Sequence, residues 1–156
     1  MDELAARVEE AKRARRERGG RPHYEAWYTT LSQLTSGAGF WIRYVSLQPA
    51  RGEPRVEVWF TSFVPDQPSA CVAVCQEYPL EQLTYRDRPF ELRIGASVLE
   101  PERITGMLDA AGTPVTWDVV TTPVTEPLEL LPRALYRARW VRSKLVVPHP
   151  DRKSVV

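Results

Sequence analysis

Three segments of this chain alternate with a period of two and carry large apolar side chains on both faces. They are His23-Tyr24-Glu25-Ala26-Trp27-Tyr28, Gly39-Phe40-Trp41-Ile42-Arg43-Tyr44 and Arg55-Val56-Glu57-Val58-Trp59-Phe60-Thr61-Ser62-Phe63-Val64. A side-chain period of two belongs to β-strands. In the first segment Tyr24, Ala26 and Tyr28 share a face opposite Glu25 and Trp27. In the second, Phe40, Ile42 and Tyr44 oppose Trp41 and Arg43. In the third, Val56, Val58 and Phe60 oppose Glu57 and Trp59. Strands that are apolar on both faces are not simple half-solvated strands. A charge set among tryptophans needs water or a partner.

If the three strands pair antiparallel in sequence with matching parity, Glu25, Arg43 and Glu57 fall on one face. Trp27, Trp41 and Trp59 then fall there too. Opposite charges on neighbouring strands contribute roughly 0.2–1 kcal/mol per pair, so a structural charge network of Glu25, Arg43 and Glu57 is expected. The grouping assumes a register, and a slip of one residue would turn one strand over.

Fourteen prolines and eight glycines cut the 156 residues into short segments, which favours an all-β meander over a helical domain. The length suits one domain with its own core. A net charge of +1 sets up no field that would draw the chain to nucleic acid or an acidic membrane. No apolar run approaches the roughly 18 residues of a membrane span. The charged N-terminus lacks an apolar signal core, so a cytoplasmic protein is expected. Cys71 and Cys75, four apart in an expected strand, would sit roughly 13 Å apart, too far for a mutual disulfide. They read as reduced cysteines packed as small apolar groups. His23 and His149 are the only histidines, and their spacing resembles no zinc motif, so neither a metal nor a cofactor is expected.

Residues 1–20 read as a charged helix, with Leu4, Val8 and Ala11 as a thin apolar stripe over Asp2 to Arg18 and Gly19-Gly20 as its end. Its Lys12, Arg13, Arg15, Arg16 and Arg18 are interspersed with acids and sit in no nucleic-acid-binding motif. Residues 21–150 form the β domain. After the first three strands, Pro65-Asp66-Gln67-Pro68 makes a turn and Cys71 to Glu77 a fourth strand. Pro79 to Pro89 reads as a loop or short helix. Phe90 to Ile94 is a fifth strand, and Ala96 to Leu99 and Arg103 to Leu108 follow. Asp109-Ala110-Ala111-Gly112 is a hairpin turn before a strand from Thr113 to Thr122. A proline-broken stretch, a helical turn near Leu135-Tyr136 and a last strand from Val141 to Val147 complete the domain. Seven to nine sequential strands close most simply as an up-and-down barrel, which removes both edges; a sandwich is the alternative. About eight strands can enclose one small ligand.

The final run, Asp151-Arg152-Lys153-Ser154-Val155-Val156, is what a common short-read sequencing adapter encodes before a stop codon. Residues 151–156 are therefore expected to carry no biology, with the reading frame cut and a second domain missing. The Leu128–Tyr136 segment and the Trp140–Val147 strand, rich in large apolar residues, would then form the surface that faced it.

The segments His23–Tyr28 and Gly39–Tyr44, with Glu57-Val58-Trp59-Phe60, Thr116-Trp117-Asp118-Val119 and Lys144-Leu145-Val146-Val147-Pro148-His149-Pro150-Asp151, resemble a two-domain lipocalin-like family. It includes the AttH-type proteins, hydroxyneurosporene synthase (carotenoid 1,2-hydratase) and tocopherol-cyclase-like proteins. The likeness runs from about residue 21 to 151. It implies an all-β, lipocalin-like (calycin) antiparallel up-and-down β-barrel with an N-terminal helix, one half of a tandem-barrel protein. It also implies an apolar partner, isoprenoid-like or polyketide-like, besides the second barrel. The hydratases' acid–base residues, including a His-x-Trp motif, lie in the second half, and neither His23 nor His149 fits that motif. No catalytic residue is therefore assigned.

The expected function is the binding of an apolar small molecule. Trp27, Trp41, Arg43, Tyr44, Trp59 and Trp117 are the candidate lining, because ligand sites are mostly apolar with a few placed polar groups. The same tryptophans could instead be core or interdomain packing. Asp118 reads as a surface or network acid. Two alternatives stay open. One is the N-terminal half of a hydratase, cyclase or isomerase with its chemistry in the other half. The other is a structural half-barrel without a ligand.

Overall fold

Among the described residues, short alternating segments between Pro- and Gly-containing turns become ten strands in chain order. They are β1 (His23–Ser32), β2 (Gly39–Gln48), β3 (Arg55–Phe63), β4 (Val72–Pro79), β5 (Leu83–Asp87), β6 (Phe90–Ile94), β7 (Ser97–Leu99), β8 (Arg103–Ala110), β9 (Thr113–Thr121) and β10 (Arg152–Val155). The computed structural model describes residues 22–121, residues 6–7, 128, 131–132 and 135, and the backbone of 152–155. Ala6 and Arg7 are helical; the rest of the expected helix, and the expected Val141–Val147 strand, lie outside the described residues. So do most of the two segments expected to face a second domain, although Leu128 is described and exposed. No helix among the described residues is long and apolar enough to cross a membrane.

The strands form two antiparallel sheets, β1-β2-β3-β4 and β10-β9-β8-β7-β6-β5. Every pairing joins strands that are consecutive in this numbering, β9 and β10 being separated by residues 122–151. The chain is all-β and meandering, as its punctuation dictates. β10 pairs antiparallel with β9, Arg152 opposite Thr121 and Val155 opposite Asp118. Residues expected to be a foreign tail thus lie as a strand on the edge of the second sheet. An unpaired row of backbone donors and acceptors will accept such a segment.

One strand was not legible as such. Leu83–Asp87, read as loop or short helix, is β5, entered from a single 3-10 turn at Leu80–Gln82. Five residues between prolines are too few to display a period clearly, and the partner makes the strand. Leu83 opposite Ile94 and Tyr85 opposite Leu92 complete the apolar face.

The register settles which side chains face inward. Ile42, Tyr44, Val56, Val58 and Phe60 from the first sheet join Leu92, Ile94, Ile104, Leu108, Trp117 and Val119 from the second in one buried cluster. Phe60 on β3 stacks on Trp117 on β9 across the two sheets, ring centroids 5.4 Å apart at 17°. Offset stacking of this kind contributes about 0.5–1.5 kcal/mol beyond burial.

The β8–β9 hairpin turns through Ala111 and Gly112, both with positive φ, 53° and 88°. Two positive-φ residues match the right-handed twist of the flanking strands. Asp109 Oδ1 accepts the Gly112 N–H at 2.9 Å and closes the turn. Glycine suits Gly112, but alanine at φ 53° carries strain. Ala111→Asn is therefore expected to stabilise the protein by about 0.5–1 kcal/mol, read as a higher urea midpoint at unchanged m-value.

Candidate functional site

The expected trio of charges does not form. Along β1 and β2, Trp27 lies opposite Tyr44 and Glu25 opposite Ser46. Along β2 and β3, Arg43 lies opposite Trp59 and Val45 opposite Glu57. Odd positions of β1 therefore share a face with even positions of β2 and β3. Glu25 and Trp27 point inward with Tyr44, whereas Trp41, Arg43, Glu57 and Trp59 lie on the outer face. The matching parity assumed from sequence fails at the first hairpin alone, because a two-fold side-chain period lets one residue of register turn a whole strand over.

On the outer face Arg43 sits 5.8 Å from the Tyr24 ring centroid and 5.5 Å from that of Trp41. It also donates to the Tyr24 hydroxyl. Glu57 has a different basic partner from the one expected. Arg55 Nε donates to its Oε1 at 2.9 Å and Trp59 Nε1 to its Oε2 at 2.9 Å. Arg55 Nε also lies 3.4 Å from Glu77 Oε1. Arg43→Ala is expected to cost only about 0.5–1 kcal/mol, the range of an exposed cation–π contact, because no buried carboxylate loses its partner. Thermal unfolding of the variant reads this directly.

Cys71 and Cys75 are exposed free thiols, not packed apolar groups, and Cys71 precedes β4. Partial burial, with the Glu57 and Glu77 carboxylates next in effect, pushes the Cys75 thiol up to about 11. In a Cys71→Ser variant, alkylation of Cys75 is expected to stay slow at neutral pH and to accelerate towards pH 11. Asp118 is a surface acid in a bidentate pair with Arg103, at 2.8 and 2.5 Å. That hydrogen bonding holds its carboxyl below the usual range. The pair therefore adds its small share of stability above the unfolded-state pKa and loses it as pH falls through the folded value.

The remaining expected lining residues, Trp27, Tyr44 and Trp117, do converge on the interior. Two residues that sequence reasoning passed over complete the arrangement. Ser97 begins the short strand β7 and is fully buried. Gly106 lies mid-strand in β8, opposite Trp117. A Cβ on Gly106 would lie 2.1 Å from Trp117 Cζ2 and 2.6 Å from Ser97 Oγ, so the absent side chain is what lets the indole and the hydroxyl approach each other. An isolated glycine within a strand is itself a signal of close approach, and it could have found this site.

From the facing sheet the Tyr44 hydroxyl donates towards the carbonyls of Val98 at 3.3 Å and Thr105 at 3.5 Å. Burial drives its pKa far above the ordinary phenol range, and the neighbouring Trp117 indole offsets this in part. The indole lies beside the Tyr44 oxygen, yet among the described residues neither Trp117 Nε1 nor Ser97 Oγ completes a hydrogen bond. The site thus offers one N–H donor, one serine hydroxyl and the lone pairs of a neutral phenol, walled by Phe60. None of these groups ionises near neutral pH, so the set can hold an oxygen atom but supplies no acid or base.

Comparison with known proteins leaves the chemistry to this geometry. The chain is 24% identical over 133 residues to uncharacterized proteins from two strains of Mycobacterium tuberculosis. The matched region is 85% of this chain but 38% of each relative, so the chain spans well under half their length. No family model and no solved structure matches it.

Proposed function

We propose that this is a lipocalin-like domain that encloses an apolar small molecule between its two sheets, with an oxygen of that molecule held by Ser97 and Trp117 beside Tyr44. The supporting observation is that two buried polar atoms flanking Gly106, Ser97 Oγ and Trp117 Nε1, have no hydrogen-bond partner among the described residues. Nearly all buried polar groups in native proteins have a partner, and an exception calls for one from outside the chain. A pocket that is apolar with a few convergent polar groups is the ordinary form of a small-molecule site. The same reading takes the sequential meander as an up-and-down barrel pressed into two layers, one half of a tandem pair. An isoprenoid- or polyketide-like ligand carrying a carbonyl or ether oxygen fits the donors on offer. Titration with retinal is expected to quench tryptophan emission saturably, because Trp117 lines the site. Trp117→Phe should remove most of the quenching and Ser97→Ala should weaken binding about 3–10-fold, the worth of one hydrogen bond. Linear, unsaturable quenching would leave a purely structural half-barrel as the function.

A further inference from the structure

The inner face of the first sheet changes character along its length. Around Leu31, Ile42 and Phe60 it is apolar and buried. At its other end β1 presents His23 and Glu25, opposite Gln48 and Ser46 of β2. His23 and Glu25 are two residues apart on one strand and so point to the same side. Their side chains are only 10% and 5% exposed, and His23 Nε2 lies 3.5 Å from Glu25 Oε2. A carboxylate only accepts hydrogen bonds, so this contact calls for a proton on Nε2, and in that tautomer Nδ1 carries the lone pair. His23 Nδ1 is buried and has no partner among the described residues.

We infer that His23, oriented by Glu25, is a second polar anchor on the inner face, accepting a hydrogen bond from a hydroxyl or amine N–H of a bound molecule. The inference rests on the proposed binding function and adds a chemical distinction to it. At the first anchor Ser97 Oγ and Trp117 Nε1 offer donors and select an acceptor oxygen, beside a Tyr44 hydroxyl whose proton is directed to backbone carbonyls. His23 Nδ1 offers an acceptor and selects a donor. Glu25 and Tyr44 are diagonal neighbours across β1 and β2, about 7–8 Å apart at Cα, so the two anchors serve one interior. The preferred ligand is thus an apolar molecule bearing both a carbonyl or ether oxygen and a hydroxyl or amine, with Glu25 acting as a positioning residue through the imidazole.

The test uses the full chain and three probes of similar length: decanol, its methyl ether and methyl nonyl ketone. Nitrogen NMR of the histidine rings should show the free protein with His23 protonated on Nε2 and bare at Nδ1. Decanol should move the Nδ1 resonance and bind about 3–10-fold more tightly than the ether. His23→Phe should erase that preference. Glu25→Gln, which keeps the side chain's shape, should reduce the preference and mix the tautomers. It also serves where His23→Phe does not fold. Ketone binding with no preference for decanol over its ether would overturn the second anchor alone. So would a proton found on Nδ1 in the free protein. Failure of all three probes to bind would overturn the binding function itself, and this inference with it.

Discussion

Gly106→Ala is expected to destabilise the protein by about 3 kcal/mol, the upper end of the range for forcing a methyl group against a closely packed side chain. The added methyl would lie 2.1 Å from Trp117 Cζ2, 2.5 Å from Cε2 and 2.6 Å from Ser97 Oγ. All three distances are well inside van der Waals contact, and the opposing atoms belong to a rigid indole, not to the tip of a flexible chain. The indole has little freedom to retreat, because Phe60 stacks on it from the facing sheet. Relief would require β8 to move away from β9 or Trp117 to leave its rotamer. The first breaks ladder hydrogen bonds and the second opens a cavity. Urea denaturation of the variant measures the cost. A Trp117→Leu background should absorb most of it, since the clash is with the ring, and the double-mutant cycle should show coupling of at least about 1 kcal/mol. Additive costs would locate the strain elsewhere than in this contact.

Phe60→Ala is expected to cost about 3–5 kcal/mol, the usual penalty for truncating a buried phenylalanine. Phe60 is 2% exposed, stacks on Trp117 and lies 6.3 Å, centroid to centroid, from Phe40. With Tyr44, it is a side chain of the first sheet that meets Trp117 on the second. Its loss removes transfer free energy, the stacking term and one wall of the site together. A domain of this size should lose on the order of 10–20 °C in Tm. Phe60→Leu fills more of the volume and should recover part of the loss. A Phe60→Ala protein with near-native stability would mean that the sheets collapse onto each other without the ring. In that event Ser97 and Trp117 should find new partners, and retinal binding should disappear although the fold survives.

The two variants also bear on function in different ways. Gly106→Ala crowds the polar set, and Phe60→Ala opens it. Under the proposed function both weaken retinal binding, but only the second should leave room for a bulkier probe. This asymmetry is the consequence of an indole held between a glycine on its own sheet and a phenylalanine on the other.

The sequence by itself determined the class of fold and most of its strands. Period-two alternation in His23–Tyr28, Gly39–Tyr44 and Arg55–Val64, with proline and glycine between segments, leaves little but a sequential antiparallel meander. Of the six residues the sequence suggested as lining, Trp27, Tyr44 and Trp117 face inward, whereas Trp41, Arg43 and Trp59 face outward. Only tertiary structure decided which face each strand turns inward. The β1–β2 register pairs odd with even positions and puts Glu25 inside and Arg43 outside, whereas β2–β3 keeps parity. Local sequence is indifferent to that choice because Glu25 with Trp27 and Tyr24 with Tyr28 are comparably amphipathic faces. Burial against the second sheet breaks the tie. The partners of Glu57, the strand at Leu83–Asp87 and the meeting of Ser97, Gly106 and Trp117 are likewise contacts between residues far apart in sequence or on different strands. Their energies appear only when the strands are side by side, so no local pattern could announce them.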